Sequence, residues 1–337
     1  MLVSRMNICP LLQALFCAAA GVALNSPVAT FAQGASVAAG FPSRPIRVVV
    51  GFTPGGQPDL YARLIAPKLV EALQQPVIVD NRPGAGGVIG TQIVADATPD
   101  GHTLLSVSSS HVISPAVRAK LPYDTRKDFA GVTLLATAAY LLVVPPSLGV
   151  KSAQELIALA KAKPGQLNFS SAGNGSGTHF AGEMLKQYAN IDVVHVPYKG
   201  IPESLTDAMA GRVQFTMGPL GSSVVFVREG RLRALAITSR KRVPIYADIP
   251  TMAESGLPGF EWDSWSALLA PAKTPRAIIN KLNREVTRVL DLPEIQQRLR
   301  ALGAEPAPGT PEQLDKFIAE QIRVITSLAQ KAGIQPQ

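Results

Sequence analysis

Residues 46–52 form an almost unbroken apolar run, Ile-Arg-Val-Val-Val-Gly-Phe, which is the pattern of a buried strand. The turn Thr53-Pro54-Gly55-Gly56 follows, and Leu60, Leu64, Ile65, Leu69 and Leu73 then recur at helical spacing. Asp59 is expected to cap that helix and Pro67 to kink it. A second strand is predicted over Pro76 to Asp80, and the stretch Asn81 to Gly87 turns into a helix ending near Ala97. After the turn Pro99-Asp100-Gly101, His102 to Val107 supplies a third strand. Strand and helix alternate, which argues for a parallel α/β sheet.

The pattern then repeats after a long β-favouring run, Gly131 to Val144, that would carry the chain into a second domain. Ser152 and Glu155 have the spacing of a capping box and open a helix to Lys163. Leu167 to Ser170 is a strand, Thr178 to Ala189 a helix, Val193 to Val196 a strand and Glu203 to Ala210 a helix. Val213 to Met217 and Leu232 to Thr238 are further strands, and Trp265 to Ala270 is the return passage. The remainder is helical over Arg276 to Leu290, Glu294 to Leu302 and Glu312 to Gln330, with Thr274 and Pro275 placed to start the first of these. The fold class expected is α/β with two domains. Residues 42–140 form the first domain, 141–263 the second, and 264–337 return to pack on the first.

The chain begins with one basic residue, Arg5, then an apolar stretch from Ile8 to Leu24, then small polar residues to Gly34. This is the layout of a secretory signal peptide, expected over residues 1–32 with cleavage before Gln33 and delivery to the periplasm. Both cysteines, Cys9 and Cys17, lie inside it, so the mature chain would carry no disulfide and no thiolate metal site. Roughly 300 residues remain, which favours two domains. A hydrophobic content of 47% lets each of them bury a core. The formal charge of +8 attracts anions in general. Arg228, Arg231, Arg233, Arg240, Lys241 and Arg242 are interrupted by apolar residues rather than forming a stripe with interleaved aromatics, so nucleic acid is not an expected partner.

Two glycine-rich turns carry the candidate chemistry. One is Thr53 to Gly56, flanked by Phe52 and Gln57; the other is Ser170-Ser171-Ala172-Gly173-Asn174-Gly175-Ser176-Gly177-Thr178, followed by His179. Each sits between a strand and a helix, where glycine lets the backbone approach a ligand and the helix start leaves N–H groups unpaired. Such a turn binds anions, and in open α/β sheets ligands lie beyond the carboxyl ends of the strands. Two such turns in different domains would grip a small carboxylate from both sides. Each turn also has a bland reading as a tight turn serving packing.

No catalytic set or cofactor loop stands out. The glycines at 84, 86, 87 and 90 place Ile89 where a dinucleotide loop needs glycine, and no P-loop is present. Ser176 lacks the first glycine of a nucleophile elbow. A Ser176–His179 dyad has no evident orienting carboxylate, so a secreted hydrolase is the lesser alternative. His102, His111, His179 and His195 show no metal spacing. His179 either lines the cleft or fixes its turn. Lys199 reads as a surface or interdomain ion pair and Arg82 is open between that and a carboxylate partner; Trp262 and Trp265 form either a cleft wall or hinge packing. Neither cofactor nor metal is expected, and the protein should be a monomer.

A series of short segments gives the chain a family resemblance. They include Phe41-Pro42-Ser43-Arg44-Pro45-Ile46, Pro54-Gly55-Gly56 with Asp59, Asn81-Arg82-Pro83-Gly84-Ala85-Gly86-Gly87 and Pro99-Asp100-Gly101. Leu121-Pro122-Tyr123-Asp124, Lys163-Pro164-Gly165, His195-Val196-Pro197-Tyr198-Lys199-Gly200 and Gly256-Leu257-Pro258-Gly259 continue the series. In order and spacing the sequence resembles the Bug-type solute-binding proteins of tripartite tricarboxylate transporters, over essentially the whole chain after the leader. The resemblance implies a Venus-flytrap fold of the periplasmic-binding-protein class (type II) with two hinge-crossing strands. It also implies a di- or tricarboxylate or aromatic acid held mainly by backbone groups of the two turns, and delivery to a permease of two integral membrane proteins, or else a sensor partner in signalling. Some members that bind amino acids carry an aspartate near the end of the strand that here reads Met217-Gly218-Pro219, which holds no acid. An amino-acid ligand is therefore not expected.

Overall fold

The computed structural model describes residues 40–331 and residue 336. The expected signal peptide and both cysteines lie outside the described residues. Ten strands form one curled sheet. In chain order they are β1 (Ile46–Val50), β2 (Val77–Asn81), β3 (Thr103–Ser108), β4 (Phe129–Val144), β5 (Asn168–Ser171), β6 (Val194–Pro197), β7 (Phe215–Pro219), β8 (Arg233–Ile237), β9 (Asp263–Pro271) and β10 (Ala304–Pro306). The order across the sheet is β2-β1-β3-β9-β4-β7-β5-β6, with β8 and β10 also pairing β4.

Strands β1, β2 and β3 are mutually parallel, as are β5, β6 and β7, so each group needs helical crossovers. The helices are α1 (Gln57–Leu73), α2 (Val88–Ala95), α3 (Ser110–Val117), α4 (Ala153–Ala162), α5 (Gly177–Ala189), α6 (Ile201–Met209), α7 (Leu220–Arg228), α8 (Arg276–Leu290), α9 (Pro293–Ala301) and α10 (Pro311–Lys331). Among the described residues no helix is long and apolar enough to cross a membrane.

β4 joins the two groups. Its residues up to Ala139 pair antiparallel with β9, ending at Ala139 opposite Asp263. From Tyr140 it pairs instead with β7, Tyr140 opposite Pro219, and from Leu141 with β8 as well. One lobe is therefore built on β1–β3, β9, β10 and the start of β4, the other on β5–β8 and the end of β4. The chain returns through Trp262, whose amide donates to the Thr238 carbonyl at 3.1 Å, directly into β9. In the first lobe Leu282, Val286 and Val289 of α8 share a core with Val48 and Leu104. Ile113 of α3 and Leu314, Ile318 and Ile325 of α10 belong to a second cluster with Val107.

Two local expectations are corrected. Helix α1 starts at Gln57 with Gly56 as its cap residue, so Asp59 lies in its first turn rather than at the cap; Pro67 lies inside the helix. Asp59 instead accepts from the Gly55 amide at 2.9 Å, reaching back over the helix start. Pro275, not Thr274, caps α8, and the buried Thr274 hydroxyl has no partner. The Ser152 cap forms as expected, its hydroxyl accepting from the Glu155 amide at 3.1 Å, while the Glu155 carboxylate accepts from Lys151. Helices α3 and α7 have no counterpart in the sequence reading.

Candidate functional site

Between the lobes lies a small cavity, with an interior of about 30 Å³ open to a water-sized sphere. Phe52, Gly56, Gln57 and Pro58 line it from the first glycine-rich turn, and Ala172, Ser176, Gly177 and Thr178 from the second. Ser108, Tyr140, Ile201 and Pro219 complete the wall. None of these side chains carries a charge.

The arrangement follows from where parallel strands end. β1, β3, β5 and β7 all deliver the chain to this cavity, and a helix starts at or just beyond each end. Gln57 is the first residue of α1, Gly177 of α5 and Ile201 of α6, and Pro219 caps α7. The first amides of a helix have no intrahelical acceptor and sit at its positive end. Helices α1 and α5 thus aim their N-termini at one cavity from opposite lobes. Burial raises the Tyr140 hydroxyl above the ordinary tyrosine pKa, so Tyr140 is a neutral donor or acceptor there.

The second loop is held rigid from behind. The Ser176 hydroxyl accepts from the His179 amide at 3.2 Å and pairs with the Thr178 hydroxyl at 3.0 Å. The Thr178 hydroxyl takes the Ala172 amide at 2.9 Å. Ser171 accepts from the Gly173 amide at 3.0 Å, and its hydroxyl meets His195 Nε2 at 2.6 Å. His195 lies against His179 with ring centroids 4.2 Å apart, and the Gly175 amide donates to His179 Nδ1 at 3.3 Å. Burial depresses both imidazoles, His179 to about 4 with help from Lys186 and Arg118, and His195 to about 3 with help from His179 and Lys186. Both rings are therefore neutral braces of the loop.

The remaining residues of the expected site fall around the cavity rather than on it. Thr53 donates to Glu203 across the lobes at 3.0 Å, Pro54 is exposed, and the Gly55 carbonyl accepts from Ser222 at 2.9 Å. Ser170 is buried among Ser204 and Thr216, its carbonyl accepting from Thr216 at 2.9 Å. Gly173 and Asn174 face a separate open groove with Ala85, Arg118 and Lys199. His179 lies behind its turn, bonded to the Gly175 amide and, through its own amide, to Ser176. Met217 and Gly218 are buried in β7, and only Pro219 of that trio reaches the cavity.

Other expectations resolve plainly. Arg82 pairs with Asp80 at 3.1 Å, outside the cavity. Trp262 packs on Phe180 and Trp265 on Phe317, both buried, so these are hinge and core residues. His102 accepts from the Ser43 amide at 3.2 Å. The basic residues near 228–242 disperse: Arg228 onto Tyr246, Arg231 onto Phe226, Arg233 to the Val150 carbonyl and Arg242 to Glu254. Among the described residues no cluster of three or more His, Asp or Glu could hold a metal ion.

Four wall residues escaped the sequence reading. Ile201 follows Gly200 and begins α6, and Pro58 is the second residue of α1, two beyond Gly56, a signal that was available. Ser108 and Tyr140 had none, since they reach the cavity only through the pairing of β3 with β9 and of β4 with β7.

Two lobes on one crossing strand, with strand ends meeting at an uncharged cavity, define a solute-binding protein of the periplasmic type. The chain belongs to the tripartite tricarboxylate transporter family receptors, whose model matches residues 61–334. It is 36% identical over 309 residues to the protein BugT of Bordetella pertussis, covering 91% of this chain and 95% of that one. A solved structure of Rpa4515 from R. palustris with adipate shares 36% identity at a TM-score of 0.86, covering 88% of this chain and all of that one. MatC from Rhodopseudomonas palustris with bound malate shares 34% identity at a TM-score of 0.82, covering 85% and 99%. The family is one of receptors, and the protein is a Bug-type solute-binding protein rather than an enzyme. Ser176 is accordingly a helix cap, not a nucleophile.

Proposed function

We propose that this protein is a periplasmic receptor that binds a small organic carboxylate and delivers it to a two-component membrane permease. The observation that carries the reading is the pair of helix N-termini, α1 at Gln57 and α5 at Gly177, facing one uncharged cavity from opposite lobes. Backbone amides there supply a carboxylate with several charge-assisted bonds without arginine or lysine. At roughly 1.5–3 kcal/mol each, three or four reach micromolar affinity. The absence of Asp and Glu from the wall disfavours amines and amino acids. Adipate and malate in the two relatives support an aliphatic carboxylate here.

In this reading residues 1–32 direct export, residues 42–140 and 264–337 form one moving body, and residues 141–263 form the other. They close by rotation where β4 changes partner between Ala139 and Tyr140. The glycine-rich turns 52–57 and 170–178 make the carboxylate site, some residues touching ligand and others holding the loops.

The test is a thermal-shift screen of the chain from Gln33 onward, refolded free of co-purified ligand, against organic acids and their matched amides. Ligand at about a hundred times its Kd adds roughly 2.7 kcal/mol of stability. A shift with an acid and none with its amide supports the reading. No shift with any acid after refolding rejects it.

A further inference from the structure

We propose that Gln57 is the residue that selects among acids, by donating a side-chain N–H to an oxygen of the ligand other than its anchored carboxylate. The inference rests on the receptor reading above. Gln57 is 4% exposed and lines the cavity. Its carboxamide is fixed from the far side: the buried Ser264 hydroxyl, on β9, donates to Oε1 at 2.5 Å. Nε2 is buried and has no hydrogen-bond partner. The carboxamide also acts on the Tyr61 hydroxyl, one helical turn along, without giving Nε2 a bond of proper geometry.

A buried amide edge left unpaired is costly. A cleft that leaves such an edge at its wall recovers that energy from a ligand oxygen and loses it against an apolar tail. The backbone amides of α1 and α5 fix one carboxylate. The Gln57 carboxamide reads the rest of the molecule. The ligand class is then an acid bearing a second oxygen function, either a carboxylate or a hydroxyl, and not a simple fatty acid.

The experiment is calorimetric titration of the refolded mature protein with three matched pairs: adipate against hexanoate, succinate against butyrate, and malate against succinate. Wild-type protein is expected to prefer the oxygen-bearing member of at least one pair by about tenfold or more. Gln57→Leu is expected to bring that ratio near one, and Ser264→Ala, which unfastens the carboxamide, to reduce it partly. Melting temperatures of the free variants identify any that fail to fold; if Gln57→Leu does, the ratio is read from Gln57→Met instead. A ratio that survives while both affinities weaken assigns Gln57 to packing and overturns the inference, leaving the receptor reading intact. No preference in wild type overturns it likewise. Failure of every acid to bind overturns both.

Discussion

Arg118 donates to the Asn174 carbonyl at 2.8 Å, tying the tip of the second glycine-rich loop to the opposite lobe. The same nitrogen donates to the Ala85 carbonyl, also at 2.8 Å, within its own lobe. Only the Asn174 bond depends on the lobes being together. A charge-assisted bond of this kind is worth about 1.5–3 kcal/mol, reduced here by partial exposure. Arg118→Ala is expected to raise the Kd of any bound carboxylate by about tenfold, chiefly through faster release. Stopped-flow dissociation checks this, and an unchanged off-rate would show that the tie adds nothing to closure.

Gly177 faces Ser109 across the same interface, beside Tyr140 at the crossing point of β4. A Cβ at position 177 would collide with the Tyr140 hydroxyl and with Ser109. Gly86 stands in a similar relation to the Asn174 carbonyl, and its φ of +62° is itself unfavourable for a side chain. Gly177→Val is expected to hold the lobes apart while each lobe stays folded. Ligand affinity should fall by more than about a hundredfold, the scale of several lost amide bonds. Small-angle scattering should show a larger radius of gyration in saturating ligand than wild type does. A wild-type affinity would mean that the helix starts do not meet around the ligand.

The two loops were legible in the sequence because glycine and serine cluster where a chain leaves a strand and enters a helix. The long apolar run of β4 was legible because few soluble strands extend over so many β-favouring residues. What hid was everything decided by packing. Helix α3 is short and contains Pro115, and α7 opens on Leu220-Gly221, so neither has a clear periodic signature. Tyr140 reads as one more apolar residue until the register of β4 places it opposite Pro219 at the point where the strand changes lobes. Thr53, Gly55 and Asn174 belong to the right loops, but their positions on the rim depend on Glu203, Ser222 and Arg118 from elsewhere in the chain.

The adjoining rings of His179 and His195 give the protein an acid-sensitive loop. Their folded pKa values, about 4 and about 3, lie below the ordinary 6.5. Below pH 6.5 the unfolded chain takes up protons that the folded one refuses, so stability falls as pH drops from there towards 4. Above pH 6.5 both states bind the same protons and the contribution is flat. Each ring is worth on the order of 2–3 kcal/mol at the acid end, less for the pair together because protonating one opposes the other. Calorimetric melting between pH 7.5 and 4 should show the loss, and His195→Phe should flatten it. Imidazole proton signals of these two rings that titrate near pH 6.5 would contradict the buried, neutral assignment.

Asp59 is the anchor of the first loop, and its own partners say how it acts. It is 1% exposed. One oxygen accepts from the Gly55 amide at 2.9 Å, and the other from Arg63 Nε and Asn81 Nδ2, each at 2.9 Å. Asn81 also donates to the Phe52 carbonyl at 3.0 Å, so the carboxylate fixes both ends of the turn from Phe52 to Gly55. Arg63 is half exposed and keeps water when the pair is broken, so its share is small. Asp59→Asn would turn a donor towards a donor at a buried site, at about 2–3 kcal/mol. Arg63→Ala should cost less than about 1 kcal/mol. Denaturant melts measure both, and ligand titration should show a weakening only for Asp59→Asn. Equal losses in the two variants would assign the stabilisation to the ion pair and leave the loop held by its glycines alone.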